Sequence, residues 1–377
     1  MMEHARTSAN TALLMISGSG VGGAEKRFAR TFAHLHQLDP SYRLFINRGL
    51  LESLERHQLA PDAGVHVLPE PLGPLDSPLK RKLYLGIYPF LCHQLMRRLS
   101  MAVAHLIGSS VYYASSLVLD PRFRTVVSSY NVRIDDTVSS ATRPIFDFVL
   151  RHADAIDALS DDIASRLLSS RYNRGSRLDG RIEVMPCSFA DYAGLESAGE
   201  KRDAVVFLGR FTDFKRPLLL VEAMPKVLEA HPNTHFYLLG NGPLEGPIQD
   251  RLAELGVEDS ATVQFTTEPA SFLASSRIFV SLQKDNNYPS QSLLEAMACE
   301  NAVVATDVGE TWKLVDEHTG IRVPADAQAL GLAIIELLDD PELTAGRGQR
   351  ARARVIGEHT VERAAAHLRR LHLRVQS

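Results

Sequence analysis

The sequence has few cysteines and no long apolar run. Its three cysteines, Cys92, Cys187 and Cys299, lie far apart, and no two have CxxC spacing. Neither a zinc site nor a disulfide framework is therefore predicted, and a reducing compartment is the simplest expectation. No stretch reaches the roughly 18 apolar residues that a membrane span needs. The apolar run at 12–16 is too short for a secretion signal, so we expect a cytoplasmic protein.

The sequence also lacks a basic excess. Its formal net charge is -4, which argues against nucleic acid as a partner, since phosphate-binding surfaces are usually basic. The chain has 377 residues, of which 45% are hydrophobic. This length and composition predict two domains, each with its own core. No closely spaced cluster of histidines and carboxylates suggests a required metal.

Short apolar runs alternate with segments of helical period, which predicts parallel sheets covered by helices on both faces. The strands are expected at 13–17, 42–47, 65–68, 103–106, 125–128, 155–159 and 182–185, and then at 204–208, 234–239, 263–265, 278–282 and 302–305. A polar stretch at 191–202 separates the two series. We expect an N-terminal domain at 1–195, a second domain at 196–355, and a C-terminal helix at 356–377 that packs back on the first.

A glycine loop follows the first predicted strand. Gly18-Ser19-Gly20-Val21-Gly22-Gly23 fits GxGxxG, and glycines there let the backbone approach a phosphate at a helix N-terminus. Asn47-Arg48 ends the second strand, so the acidic residue of a dinucleotide site is missing. The alternative is a tight strand-to-helix turn without a ligand.

Two further loops follow strands in the second half. Gly209-Arg210 is followed by Lys215, and two cations at a strand's carboxyl end suit a diphosphate. The alternative is a solvated loop in which Asp213 is their partner. Gly240-Asn241-Gly242-Pro243 permits close backbone approach, although an ordinary left-handed turn explains it equally well.

The longest motif runs from Asn287 to Ala298 and opens a helix whose N-terminus favours negative charge. Ser290 and Ser292 supply hydroxyl groups, and Glu295 can accept from the paired hydroxyls of a ribose. The alternative for Glu295 is structural, because Ser292-x-x-Glu295 fits a capping box.

Together these loops resemble the GT-B glycosyltransferases of the large retaining family 4. The motifs Gly-Arg-x4-Lys, Gly-x-Gly-Pro and Leu-Leu-Glu-Ala-Met-Ala, followed by Val-Val-Ala-Thr-Asp-Val-Gly at 303–309, stand in the family's order. The resemblance implies an α/β fold of two Rossmann-like, doubly wound domains facing across a cleft.

The resemblance also implies roles for individual residues. Arg210 and Lys215 would hold the donor diphosphate, and Glu295 the ribose hydroxyls. The remaining donor-side residues that it implies are Gly22, Gly23, Gly209, Gly240, Asn241, Gly242, Phe265, Thr266, Tyr288, Pro289, Ser290, Gln291 and Ser292. We expect no cofactor and no metal, because two cations and a helix N-terminus neutralise the leaving group.

One departure from the family concerns its two glutamates eight positions apart. The second corresponds to Glu295, but the first falls on Asn287. An asparagine still hydrogen-bonds sugar hydroxyls, so a catalytic role is kept for Asn287 with altered specificity.

The expected activity is retaining transfer of a sugar from a UDP-, GDP- or ADP-linked donor to a glycan or lipid-linked acceptor in polysaccharide or glycolipid synthesis. On the acceptor side we place His105, Tyr130 and Asn131. Residues 79–100 combine basic and apolar residues, and two alternatives stand. They form either a core helix with charged ends or a surface that docks on the inner face of an anionic membrane.

Three other functions remain as alternatives. The first is a non-catalytic or altered homologue that binds nucleotide sugar without transfer. The second is a nucleotide-sugar epimerase or a phosphorylase on the same plan, and the third is an NADP oxidoreductase.

Overall fold

The computed structural model describes residues 10–18, 20–129, 142–192, 194–286, 288 and 290–377. The chain divides into two compact units. Unit 1 comprises the chain up to Ser188 together with Val361–Ser377, and unit 2 is Phe189–Thr360. The changeovers thus lie at 188/189 and 360/361, beside the expected boundaries at 195/196 and 355/356.

Unit 1 contains a seven-stranded parallel sheet. Its strands are β1 Thr11–Met15, β2 Arg43–Asn47, β3 Val65–Leu68, β4 Val103–Ile107, β5 Arg124–Ser129, β6 Ala155–Ala158 and β7 Ile182–Val184. The strand order is β3-β2-β1-β4-β5-β6-β7. All five residues of the central strand β1 are buried, as expected for a strand covered on both faces.

The described helices of unit 1 connect these strands. They are α1 Gly23–Leu38, α2 Arg48–Arg56, α3 Pro78–Arg98, α4 Ser110–Tyr113, α5 Arg143–His152, α6 Asp161–Ser169 and, from the C-terminal segment, α13 Val361–Gln376. Helix α13 packs against α1 and the strands β4 and β5. Leu371 of α13 lies in a buried cluster with Val103, Val126 and Ala155.

Unit 2 contains a six-stranded parallel sheet. Its strands are β8 Arg202–Leu208, β9 His235–Leu239, β10 Ala261–Gln264, β11 Ser276–Ser281, β12 Ala302–Thr306 and β13 Gly320–Val323, in the order β10-β9-β8-β11-β12-β13. The helices are α7 Pro217–Ala230, α8 Glu245–Leu255, α9 Ala270–Ser275, α10 Gln291–Ala298, α11 Ala327–Asp339 and α12 Pro341–Glu358.

Several helices begin at the polar residue that the sequence places before them. Asp326 accepts a hydrogen bond from the Ala329 amide at 2.8 Å, and Asp340 accepts one from the Leu343 amide at 2.9 Å. These side chains satisfy amides that have no partner inside the helix, and each such cap contributes about 1 kcal/mol. Asp326 begins α11, and Asp340 begins α12 directly after α11 ends at Asp339.

Each sheet has one topological switch point, where the strand order reverses. It lies between β1 and β4 in unit 1 and between β8 and β11 in unit 2. Open parallel sheets bind ligands beyond the carboxyl ends of the strands at such points. The loops that follow these strands are therefore the places to look for a site. Within the described residues, none of the helices combines the length and apolar character needed to cross a bilayer.

Candidate functional site

Three loops meet at the switch point of unit 2. They follow β8, β9 and β11, and backbone hydrogen bonds join them. The Gly209 amide donates to the Leu239 carbonyl at 3.0 Å, and the Phe211 amide donates to the Asn241 carbonyl at 2.8 Å. The Lys284 amide, in the third loop, donates to the Phe214 carbonyl at 2.9 Å. Three motifs that are separate in the sequence thus form one surface.

Two glycines of the β9 loop are required by this close packing. A Cβ atom on Gly240 would lie 1.9 Å from the Gly209 carbonyl oxygen. One on Gly242 would lie 2.5 Å from the Phe211 carbonyl oxygen. Both distances are far below van der Waals contact, so the glycines let one loop approach another. This explains the Gly-x-Gly pattern without a ligand, and it leaves the predicted contacts of Gly240, Asn241 and Gly242 with a donor as a prediction.

The β8 loop carries the two predicted cations. Arg210 is exposed and Lys215 is partly buried. Neither forms an ion pair within the described part of the chain. Asp213 therefore does not pair with them, in contrast to the alternative of a solvated loop. Burial, together with the neighbouring Arg210, lowers the pKa of Lys215 from 10.5 to about 8. Two like charges without a carboxylate between them are poised to receive an anion.

Helix α10 begins at Gln291, with Ser290 in the capping position. A capping box at Ser292-x-x-Glu295 would require Ser292 to precede the helix, but Ser292 lies inside its first turn. The capping box predicted for Ser292 and Glu295 is therefore not formed, and the ribose contact of Glu295 stays a prediction. The Ser290 and Ser292 hydroxyl oxygens are 3.2 Å apart. The Gln291 side-chain amide donates to the Phe189 carbonyl at 2.7 Å, and the donor contact of its backbone stays a prediction.

An exposed aromatic side chain follows β10 at the same edge of the sheet. Phe265 is 62% exposed, and the Thr266 hydroxyl accepts a hydrogen bond from the Glu268 amide at 3.0 Å. Strand β10 pairs with β9, whose loop belongs to the joined surface. The contact of Phe265 and Thr266 with a base stays a prediction. Of the other predicted residues, Asn287, Pro289, Tyr130 and Asn131 lie outside the described residues.

The glycine loop of unit 1 leads into α1, which begins at Gly23. The Glu25 carboxylate accepts a hydrogen bond from the Gly22 amide at 2.9 Å. The helix thus caps its own N-terminus with a carboxylate. The predicted phosphate contacts of Gly22 and Gly23 would have to compete with that carboxylate.

His105 does not face an acceptor, which corrects its assignment. It is fully buried on β4, and both ring nitrogens are occupied. Its Nδ1 lies 2.9 Å from His372 Nε2, and its Nε2 lies 2.7 Å from Ser128 Oγ. The chain of contacts continues from Ser128 Oγ to Asp157 Oδ2 at 2.7 Å and from Asp157 Oδ1 to His367 Nε2 at 3.0 Å.

This buried chain has one consistent direction. Ser128 donates its one hydroxyl proton to Asp157, so its oxygen accepts from His105 Nε2. His105 Nδ1 then accepts from His372 Nε2. The Tyr42 hydroxyl completes the chain by donating to His372 Nδ1 at 3.2 Å. Burial lowers the pKa of His372 to about 3, so both rings stay neutral and fix α13 to the sheet.

The sequence reasoning missed a buried group in the loop after β12. Glu310 is only 6% exposed and forms an ion pair with Lys313. Its neighbour Asn286, in the β11 loop, is fully buried. The sequence did indicate that Glu310 follows the carboxyl end of the strand predicted at 302–305, where site residues are expected. Among the described residues there is no cluster of metal-ligating side chains.

Comparison with known proteins also draws attention to unit 2. Residues 202–340, which span all six strands of unit 2, match the family described as "Glycosyl transferases group 1". This part of the chain is similar to that family. The match agrees with the predicted family, and the matched residues include Arg210, Lys215 and Glu295. The match does not test the role of any of them.

Two relatives of this chain are named mannosyltransferases. A phosphatidyl-myo-inositol mannosyltransferase of Mycolicibacterium smegmatis is 27% identical over 266 residues, which cover 67% of this chain and 66% of the relative. A GDP-mannose-dependent monoacylated alpha-(1-6)-phosphatidylinositol monomannoside mannosyltransferase of Corynebacterium glutamicum is 30% identical over 38% of this chain and 40% of its own. The chain thus spans just under two thirds of the first relative.

Solved structures show the fold. Anabaena Alr3699/HepE, solved in complex with UDP and glucose, has a TM-score of 0.75 at 16% identity and covers 96% of this chain and 99% of its own. WaaG, a glycosyltransferase involved in lipopolysaccharide biosynthesis, has a TM-score of 0.65 at 13% identity, covering 95% and 99%. The predicted GT-B fold class is confirmed.

Proposed function

We propose that this chain is a retaining glycosyltransferase that moves a sugar from a nucleotide-sugar donor to a glycan or lipid-linked acceptor in glycolipid or cell-surface polysaccharide synthesis. The observation that carries the proposal is the joined surface of unit 2. Its three loops bring Arg210 and Lys215 to the switch point of the sheet without a carboxylate partner among the described residues. Relatives named as mannosyltransferases support the class of reaction.

In this proposal, each group acts on the leaving nucleoside diphosphate. The Arg210 guanidinium makes forked contacts with phosphate oxygens, and the Lys215 ammonium supplies a point charge. The N-terminus of α10 adds a positive dipole end. Charge on the departing diphosphate is then stabilised without a metal or another cofactor. Glu295 accepts from the ribose hydroxyls, and Phe265 stacks against the base.

Donor binding is tested by thermal shift with UDP-, GDP- and ADP-sugars. One donor class should raise the melting temperature of the wild-type protein. Arg210→Ala and Glu295→Ala should each abolish most of that shift. Arg251→Ala is the matched control, because Arg251 lies on α8 and pairs with Glu222 and Glu254 on the surface. An unchanged shift in both site variants would contradict the assignment.

Turnover separates transfer from the alternatives. A transferase should release free nucleotide, either by transfer to an acceptor or by slow hydrolysis of the donor. Donor binding without either reaction would favour a non-catalytic homologue. Conversion of one nucleotide sugar into another would favour an epimerase.

The acceptor side of the proposal rests on α3. One face of this helix is buried through Tyr84, Tyr88, Cys92 and Met96. The other face exposes Leu79, Leu83 and Phe90, of which Phe90 is 63% exposed. Arg81, Lys82, Arg97 and Arg98 are also exposed. One face of α3 thus fits the core helix that was predicted as one alternative for residues 79–100. The opposite face has the composition of the membrane-docking surface that was the other.

We extend the proposal to an anionic membrane surface at the inner face, with the exposed face of α3 as the contact. Apolar side chains among arginine and lysine suit the headgroup region of such a bilayer. Two relatives named for phosphatidylinositol are consistent with a lipid-linked acceptor. Vesicles containing anionic lipid should sediment the wild-type protein, and Leu83→Glu with Phe90→Glu should release it. Equal sedimentation of both proteins would contradict the contact.

A further inference from the structure

The loop after β12 lies against the loop after β11, because these strands are neighbours in the sheet of unit 2. Gly309 has a left-handed backbone with a φ of 53°. A Cβ atom there would lie 2.3 Å from the Cβ of Asn286. Only glycine fits this contact, so the chain brings the residue after Gly309 directly onto the β11 loop.

Asn286 uses its buried amide to hold both loops. Its Oδ1 accepts hydrogen bonds from the Tyr288 amide and the Glu310 amide, each at 3.1 Å. Its Nδ2 donates to Glu310 Oε2 at 3.4 Å. The backbone of Tyr288, which belongs to the predicted sugar-binding motif, is thus fixed from the β12 loop.

The Glu310 carboxylate and the Lys313 ammonium reach Tyr288 by a second route. Lys313 pairs with Glu310, and its Nζ lies 5.2 Å from the centre of the Tyr288 ring. The same Nζ lies 5.7 Å from the centre of the Trp312 ring. Glu310 therefore acts on the backbone of Tyr288 through Asn286 and on its ring through Lys313.

A nearly buried ion pair is costly to keep, because both ions lose water. Replacement by apolar residues is often neutral or stabilising, so stability alone is a weak reason for it. The pair stands beside the motif in which the family's first glutamate is replaced by Asn287. Asn287 offers no carboxylate where the resemblance implies one, and the fold brings the Glu310 carboxylate to the adjoining Asn286.

We propose that Glu310 is a positioning residue for the donor sugar, acting through Asn286 and Lys313 on the loop that carries Tyr288. This inference rests on the proposed nucleotide-sugar function. It separates two parts of donor recognition. Arg210, Lys215 and Glu295 hold the nucleotide, while Glu310 and Lys313 determine how much the attached sugar adds to binding.

Tryptophan fluorescence can measure the binding of the nucleotide and of the attached sugar separately. Trp312 is its single tryptophan, it is 55% exposed, and it lies between Thr311 and Lys313 in the same loop. Its fluorescence can be titrated with UDP and UDP-glucose, and with GDP and GDP-mannose. In each pair, the dissociation constant of the free nucleotide divided by that of the nucleotide sugar measures how much the sugar adds to binding.

In Glu310→Gln, we expect this ratio to fall by about tenfold for the preferred donor, as for the loss of a charge-assisted hydrogen bond. Binding of the free nucleotide should change less than about twofold. Lys313→Met should lower the same ratio, and the double variant should lose little more, because the two residues act as one unit. Glu317→Gln is the control, since Glu317 is an exposed neighbour that pairs with His318.

The outcomes distinguish this inference from the function on which it rests. An unchanged ratio in Lys313→Met and Glu310→Gln would overturn the inference while nucleotide binding stands. Equal weakening of nucleotide and nucleotide sugar would also overturn it, because it indicates general loss of structure. If Glu310→Gln fails to fold, Lys313→Met carries the test. No binding of any nucleotide by the wild-type protein would overturn both proposals.

Discussion

Replacing Lys215 by methionine should stabilise the folded protein while removing donor binding. The ammonium is partly buried beside Arg210, and its pKa falls from 10.5 to about 8. At about 1.4 kcal/mol for each tenfold change in proton affinity, the charged form costs at most about 3 kcal/mol in the folded state. Partial exposure to water reduces this figure, so we expect a gain of about 1–3 kcal/mol. Methionine keeps most of the apolar stem.

The gain should depend on pH with a defined sign. Below pH 8, Lys215 is charged in both folded and unfolded protein, so the full cost is present in the wild type. As the pH rises from 8 to 10.5, the folded protein releases its proton first and the cost disappears. Urea unfolding should therefore show the largest difference between wild type and Lys215→Met near pH 7, and almost none near pH 10.5.

Lys201 provides a matched control with the opposite expectation. Burial also lowers its pKa to about 8. However, its ammonium donates to the Cys299 carbonyl at 2.6 Å and the Ser276 carbonyl at 2.8 Å. Lys201→Met leaves a carbonyl without a donor and should destabilise the protein. If Lys215→Met also lowers the melting temperature at pH 7, Lys215 is a structural residue and the reasoning fails.

Two other predictions concern parts of the fold that support these sites. Gly240→Ala should cost about 1–3 kcal/mol and weaken donor binding, because its Cβ meets the Gly209 carbonyl. Gly246→Ala, in α8 with open space around it, should be neutral or stabilising. Both variants are compared by thermal unfolding. An equal loss of stability in the two variants would contradict the close-packing argument. For the buried histidines, stability should be complete above pH 6.5 and fall as the pH drops towards 3, because only the unfolded state takes up protons there. His372→Gln should make that fall shallower by about 1.4 kcal/mol per pH unit in urea titrations, and an unchanged slope would show that His372 is already charged in the fold.

Much of the architecture follows from local sequence pattern. Buried parallel strands leave continuous apolar runs, so β1, β4 and β12 were expected within a few residues of their observed bounds. The loops after β8, β9 and β11 were expected as sites because glycine, charge or a polar helix start follows an apolar run in each. The short strand β13 was not expected, since Gly320-Ile321-Arg322-Val323 shows no extended apolar run.

The sequence could not reveal contacts between distant segments. The family resemblance drew attention to Asn287, but the partner of its neighbour Asn286 lies 24 residues further on, at Glu310. His105 suggested a catalytic group because histidine is often one. Its two partners, Ser128 on the neighbouring strand β5 and His372 on α13, become visible only in the folded structure. Burial and pairing of polar groups depend on tertiary structure, and residue type alone does not determine them.

The split of unit 1 along the chain has a consequence for how the protein is made. A ribosome completes residues 189–360, all of unit 2, before it synthesises α13. Until then, the neutral His105 lacks its hydrogen bond to His372, and the Asp157 carboxylate lacks His367. Unit 2 has a continuous chain and can fold during translation. Unit 1, although it begins first, must wait for α13 to complete its buried chain of hydrogen bonds.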